Sequence, residues 1–385
     1  MKKYDLVIVG SGLFGATVAF RAKENELRCL VLERRNVCGG NVYDEAADGF
    51  HVSKYGAHIF HTDNERVWNF IGSFADFNDY RHRVLIESNG KKYHIPVCAV
   101  TFNEIFGTAT VSEMDAMLRK ERSIKPYANP KSLEEVAINR VGRRAYELLI
   151  KGYTEKQWGR QASELPKEII ERLPVRMNYD TRYFSDRFQG MPLCGYAELV
   201  KRMLKGVEVL YGVDFNASKE YWVNEAETIV YTGMIDELMD YRYGALEYRS
   251  LRFETSVLET TLHQPCAVVN NGDKNVPFTR TVEHKHFYEC KELPYTVITK
   301  EFPAVWEKGK EAFYPINDDK NQKLYKRYLD EAKVIYPNII FGGRLGCYEY
   351  NDMDDTVEKA LKLGDAVCKL NFNKNNSIRE IAKRR

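Results

Sequence analysis

Gly10, Gly12 and Gly15 stand in the run Gly10-Ser11-Gly12-Leu13-Phe14-Gly15, between an apolar stretch at residues 5–9 and an amphipathic one at 16–24. A second apolar stretch, residues 29–32, ends on Glu33. These types at this spacing suit a dinucleotide. Gly10 permits a tight turn, Gly12 has no Cβ to block a pyrophosphate, and Gly15 lets the helix pack close on the strand. The helix N-terminus offers unpaired N–H groups to the phosphates, and Glu33 can accept from a ribose diol. The glycine spacing alone is a weak signal. Strand, turn, helix, strand and acid in order make it a strong one.

Other residues carry chemistry less openly. Arg34 and Arg35 follow the acid, and Gly39-Gly40-Asn41 follows them. A glycine pair so soon after the acid resembles the signature of two-domain flavoproteins that hold FAD, so the expected cofactor is FAD rather than NAD. His58 and His61, with Ile59 between them, have a metal-like spacing. No third ligand clusters nearby, so no metal is expected. Arg172 and Arg280 have the planar fork that suits phosphate oxygens, although each read alone is a solvated arginine. Tyr153, Trp158, Tyr183, Tyr314 and Tyr350 read alone are core aromatics. No Ser–His–Asp or Cys–His set is present.

Composition narrows the classes. Lys+Arg minus Asp+Glu is 57 − 55 = +2, so no global field argues for nucleic acid or a membrane surface. Eight cysteines are scattered without a Cys-x-x-Cys pair, which reads as reduced thiols in a cytoplasm. No apolar run reaches the ~18 residues of a membrane span. Lys2-Lys3 before apolar residues is not read as a signal peptide, because Asp5 interrupts the run and cleavage would remove the glycine turn.

The elements that must position these residues can be read in outline. The expected fold class is α/β: a Rossmann-type FAD-binding domain built from separated segments (1–80, 192–240 and 316–385), with an inserted helical-bundle domain (100–175) and an antiparallel β-sheet domain (81–99, 176–191 and 241–315). Asn89-Gly90 between apolar runs predicts a hairpin. Ser112-Glu113-Met114-Asp115 and Ser132-Leu133-Glu134-Glu135 predict capping boxes, and Pro166 predicts the first turn of a helix reaching Arg172. Strand-end glycine Gly233 and the glycines at 342–346 are expected to meet the 10–15 turn at the carboxyl ends of the strands. The 342–346 stretch reads either as a helix opening with its N-terminus against the flavin's pyrimidine ring or as a simple strand-to-helix turn. The last predicted helix spans about 354–370, and the polar tail beyond it is expected to fray.

Several stretches together resemble bacterial UDP-galactopyranose mutases over nearly the whole chain: the glycine motif, Tyr55-Gly56-Ala57-His58-Ile59-Phe60-His61-Thr62, residues 151–158 (Lys-Gly-Tyr-Thr-Glu-Lys-Gln-Trp), Pro277-Phe278-Thr279-Arg280, residues 312–316, and Gly343-Arg344-Leu345-Gly346 with Tyr350 and Asp352. The resemblance implies interconversion of UDP-galactopyranose and UDP-galactofuranose for surface glycans, without net redox. It implies reduced FAD, whose N5 forms a covalent adduct with the anomeric carbon. Arg172 and Arg280 then clamp the diphosphate, with Arg172 on a mobile lid at roughly 158–181. Tyr183, Tyr314 and Tyr350 reach the phosphates, Tyr153 stacks on uracil, Asn270 lies in the nucleotide region, and Trp158 contacts the sugar side. His58 and His61 lie beside the flavin. Phe14, Arg34, Gly40, Asn41, Ile59, Gly233, Arg344, Tyr350, Asp352 and Met353 complete the implied cofactor contacts. A homodimer is implied, with an external reductant or NAD(P)H to reduce the flavin. A flavin-dependent amine oxidase is the alternative; it predicts an apolar, aromatic-caged pocket without the arginine pair. A nucleotide-sugar binder without catalysis predicts loss of the intact glycine–Glu33 set.

Overall fold

The computed structural model describes residues 2–171, 174–288, 290 and 292–383. In chain order the strands are β1 (Tyr4–Val9), β2 (Cys29–Glu33), β3 (Asp44–Ala46), β4 (His51–Ser53), β5 (Phe60–Thr62), β6 (Val84–Ser88), β7 (Lys91–Ile95), β8 (Phe188–Gly190), β9 (Glu208–Tyr211), β10 (Ala226–Tyr231), β11 (Tyr248–Leu258), β12 (Val268–Asn271), β13 (Arg280–Glu283), β14 (Thr296–Val305), β15 (Tyr314–Pro315) and β16 (Ile339–Phe341).

Among the described residues one sheet runs β16-β10-β1-β2-β9, with every pairing parallel. Its central strands are apolar runs, as strands covered on both faces must be. Leu6, Val7, Ile8, Leu30, Val31, Ile229 and Val230 are all buried. The helices Leu13–Glu24 and Met353–Lys383 pack against one another. Gly364 allows the close approach, since a Cβ there would lie 2.8 Å from Cβ of Arg21, and Arg21 pairs with Asp365 at 2.7 Å. The last helix begins at Met353 but runs beyond the expected end near 370. No glycine or proline stands between 371 and 383 to stop it.

The second sheet has the order β15-β11-β14-β13-β12-β6-β7. Asn89 and Gly90 adopt φ of 53° and 73°, the left-handed pair that a tight hairpin needs. The sheet is antiparallel save for β6 beside β12. The hairpin arrives from a remote stretch, so no tight turn dictates its direction against β12.

Helices fill 99–171. Ser132 caps its helix as expected: its hydroxyl accepts from Glu135 N–H at 3.3 Å, and Glu135 reaches back to Ser132 N–H. Ser132→Ala should cost about 1 kcal/mol, read as a lower urea midpoint; an unchanged midpoint would mean that the orphaned N–H found another acceptor. The other predicted box is displaced. Thr110, not Ser112, is the cap, accepting from Glu113 N–H while Glu113 accepts from Ala109. Threonine caps as serine does, so neighbouring candidates compete and packing selects. Pro166 precedes its helix, Glu168–Glu171, and pairs across to Ser132 instead. Residues 143–158 form a continuous rod with a π turn at Glu147–Lys151, ended by Gly159 at φ +65°. Among the described residues no helix is long and apolar enough to cross a membrane.

Candidate active site

The carboxyl ends of β1, β10 and β16 bring the predicted glycines together. Thr232 donates to Val9 O at 2.6 Å, and Gly342 N–H to Tyr231 O at 3.0 Å. A cavity of about 250 Å³ opens there. Of the residues assigned to the cofactor, Gly10, Gly12, Phe14, Glu33, Arg34, Gly40, Asn41, His58, Gly233, Arg344 and Met353 line it. Helix Leu13–Glu24 starts after Gly12 without a side-chain cap, which leaves its first N–H groups for a ligand. Gly12 and Gly40 face each other closely: a Cβ on Gly40 would lie 2.9 Å from Cα of Gly12. Nη1 of Arg35 is buried at the wall without a partner. A bare glycine cradle, an uncapped helix and an unpartnered guanidinium nitrogen fit a dinucleotide pyrophosphate.

Glu33 has a job beyond the ribose. One carboxylate oxygen accepts from the Ser11 N–H at 2.9 Å and from its hydroxyl at 2.6 Å, and the other accepts from Arg35 N–H at 2.9 Å. The acid therefore ties the glycine turn to the end of β2. Arg34 and Arg35 both pair with Glu311, at 3.1 and 2.9 Å.

The expected helix end at 342–346 is one turn only, Gly343–Gly346. The long helix beginning at Met353 is the one whose first turn, with Thr356, lines the cavity. Gly15 does not line the cavity but packs on the Gly10 carbonyl, and Ile59 is in the core. Tyr350 and Asp352 lie outside the cavity lining, on the side of a second cluster.

That cluster centres on Arg280. Strand register sets its floor, for Asn270 on β12 pairs with Arg280 on β13, and Arg280 pairs with Glu301 on β14. Partners in register point to one face. The guanidinium bonds the Tyr153 hydroxyl and lies 3.3 Å from the carboxylate of Glu301, which is buried. Burial opposes the arginine's charge, yet Tyr153, Glu301, Tyr314 and Tyr183 around it hold its pKa above the ordinary value. Glu301 is pushed up by burial, against the pull of Arg280 and of Ala57 N–H. Tyr183 is pushed up to about 12 by burial first and by Tyr153 second; Tyr350 and Asp352 add to it. Tyr314 and Tyr350 stack at 5.7 Å, with Arg344 5.5 and 5.1 Å from their centroids. Oδ1 of Asn270 is buried without a partner.

His58 joins cluster to cavity. Its Nδ1 lies 2.8 Å from Gly56 O; a carbonyl only accepts, so Nδ1 carries the proton and Nε2 is the acceptor. Burial, then Arg344, lower its pKa to about 4. His61 goes elsewhere: it stacks on Phe184 at 3.6 Å and bonds Asp186 at 3.1 Å. Trp158 ends the 152–158 helix, half-buried against the core. Arg172 lies outside the described residues.

Sequence reasoning missed Glu301, His82, and the cavity wall at Val213, Asp214, Phe215 and Asn216. An acid in the strand Thr296–Val305 was the available signal for Glu301. His82, its pKa lowered to about 3 by burial and by Arg280, gave none.

Burial gives a pH prediction. His58, His82 and His284 (lowered to about 3, mainly by burial) stay neutral in the folded protein. The unfolded chain's histidines protonate near 6.5, so below that pH the unfolded state binds more protons and stability falls. The loss continues to about pH 4 for His58 and about 3 for the others. It should approach ~1.4 kcal/mol per pH unit per histidine. Urea midpoints at several pH values check this, and His284→Phe should shallow the slope.

A family model described as UDP-galactopyranose mutase matches residues 148–350, and one described as an NAD(P)-binding Rossmann-like domain matches residues 8–74. A probable UDP-galactopyranose mutase of Klebsiella pneumoniae is 36% identical over 370 residues, covering 95% of each chain. A dTDP-fucopyranose mutase of Escherichia coli is also 36% identical, over 95% of this chain and 99% of its own. The fold resembles a crystal structure of reduced UDP-galactopyranose mutase, with TM-score 0.73, 13% identity, and 95% and 96% of the two chains covered. With likeness at this level running from the glycine cradle through the arginine cluster, the chain belongs to the UDP-galactopyranose mutase family.

Proposed function

We propose that this protein interconverts UDP-galactopyranose and UDP-galactofuranose, with FAD held in the glycine cradle and the nucleotide sugar held by the Arg280 cluster. The observation that carries this is the placement of a half-buried, pre-fixed arginine among tyrosine hydroxyls, joined to the dinucleotide cavity through His58 and Arg344. An amine oxidase would have no use for a cation there, since it repels an ammonium substrate.

Gly12, Gly40 and the first turn of helix Leu13–Glu24 would hold the pyrophosphate of FAD, and Glu33 the ribose. Bound and reduced, FAD supplies a nucleophilic ring nitrogen toward the anomeric carbon. Arg280 binds the diphosphate and offsets the charge that grows as it departs. Its position is fixed in advance by Glu301 and Tyr153, so little reorganisation is needed. Tyr183 and Tyr314 keep their protons at neutral pH and donate to phosphate oxygens. Tyr153 packs on the base and Asn270 supplies an acceptor near it. By the family resemblance Arg172 adds a second cation to the diphosphate, and Trp158 meets the sugar. His58 stays neutral and presents Nε2 as an acceptor at the boundary of the two sites.

The deciding experiment incubates the flavoprotein with UDP-galactofuranose, with and without dithionite, and resolves the products by chromatography. Conversion only after reduction is expected; bound flavin with no conversion in either state would overturn the reading. The equal likeness to a dTDP-fucopyranose mutase favours a parallel arm with dTDP-fucopyranose, and faster turnover there would move the substrate to that pair. A homodimer, a cytoplasmic location and an external reductant or NAD(P)H complete the proposal, and light scattering tests the first.

A further inference from the structure

The Arg280 cluster is assembled from pieces remote in sequence: helix Gly152–Trp158 carries Tyr153, and the β12–β13 hairpin carries Asn270 and Arg280. Besides the Arg280–Tyr153 bond and the Glu155–Lys274 ion pair, two contacts grip the loop between the strands. Gly152 lies against the backbone of Gly272, where a Cβ would sit 1.8 Å from the Gly272 carbonyl oxygen. One turn on, the Nζ of Lys156 donates to the hairpin loop: to Asn271 Oδ1 at 3.2 Å and to the carbonyls of Asp273 at 2.9 Å, Val276 at 3.1 Å and Phe278 at 3.0 Å.

We propose that Lys156 is a positioning residue for the nucleotide clamp, locking helix 152–158 onto the 271–278 loop and so fixing Tyr153 against Arg280. The inference rests on reading that cluster as the UDP site. Tyr153 lies three residues before Lys156, one turn away on the same helix. Asn271 adjoins Asn270, and Phe278 stands two residues before Arg280. One ammonium therefore addresses both ends of the loop that carries the clamp's acceptor and its cation. Three protons shared among four oxygens make the lock cationic by construction, because a neutral amine could donate only two.

The charges facing Lys156 are few. Asp273 lies in the gripped loop, its carboxylate turned to Asn89 N–H at 2.9 Å, while Lys274 pairs with Glu155 at 2.6 Å. Burial brings the Lys156 pKa down to about 8, with Asp273 opposing. The lock should therefore loosen as pH rises through that value.

The test uses the FAD-loaded protein with UDP as probe. Lys156→Met should weaken UDP binding about tenfold, the size of one lost charge-assisted contact. KM should rise in parallel, with kcat of the reduced enzyme changing less than about threefold. In the unaltered protein UDP affinity should fall between about pH 7 and about pH 9, and in the variant it should be flat there. A variant with a lower melting temperature but unaltered UDP affinity and KM would show a merely structural lysine and overturn the inference. So would unaltered affinity across the pH series, which needs no substitution. Arg280→Ala run beside it separates the two readings. If Arg280→Ala binds UDP normally, the clamp itself is misassigned; if only Lys156→Met does, the lock alone fails.

Discussion

Replacing Arg280 by alanine is expected to lower kcat/KM for the mutase reaction by about three orders of magnitude, in line with the loss of a fixed charge from a developing anion. The flavin should stay bound, because Arg280 does not line the dinucleotide cavity. The substitution also strands Glu301, whose side chain is only 4% exposed and lies 3.3 Å from the guanidinium. Leaving that buried carboxylate without its partner costs about 1–3 kcal/mol, so a fall in stability will accompany the fall in rate. The double variant Arg280→Ala with Glu301→Gln separates the two effects: it should regain much of the stability and none of the activity. The flavin-to-protein absorbance ratio, urea midpoints and steady-state rates of the reduced enzyme read all three. Turnover within tenfold of the unaltered protein would remove Arg280 from the diphosphate site.

Gly15→Ala should give a protein that is purified nearly free of flavin. A Cβ on residue 15 would sit 2.0 Å from the Gly10 carbonyl oxygen and 3.2 Å from Cγ2 of Ile8. Both obstacles belong to β1 and its turn, and a backbone oxygen cannot rotate away as a side chain can. The helix must lift, and its uncapped first turn moves away from where the phosphates would lie. Gly72→Ala is the control, since nothing lies within 4 Å of a Cβ there. The flavin absorbance of the two purified variants decides the matter. A Gly15→Ala protein with full flavin would mean that strand and helix can separate without disturbing the cradle.

Much of the cofactor half was legible because its determinants are local. The order strand, Gly-x-Gly-x-x-Gly, helix, strand, Glu33 lies within thirty residues, and each part acts on its neighbours in the chain. Asn89-Gly90 and Ser132–Glu135 were readable for the same reason: turn and cap chemistry is settled within four residues. Where two local signals competed, as Thr110 and Ser112 did, the sequence offered no means to choose.

The Arg280 cluster is a different case. Its residues stand at positions 153, 183, 270, 280, 301, 314 and 350, and none is marked by local spacing. Likeness to a family pointed to most of them, but not to Glu301 or to the grip of Lys156. Glu301 follows from register: once β12, β13 and β14 align, Asn270, Arg280 and Glu301 must share a face, and a shift of one residue would turn Arg280 away; the grip of Lys156 follows from the docking of helix 152–158 on the 271–278 loop. At 342–346 the chain makes a single helical turn that lines the cavity, and the long helix whose first turn also lines it begins only at Met353. The sequence by itself determined which residues could cradle a dinucleotide, since backbone freedom and periodicity are properties of short stretches. Only the tertiary structure decided which arginine is fixed, by which carboxylate and at what distance from the cradle, since those depend on how separated strands align and on the burial that follows.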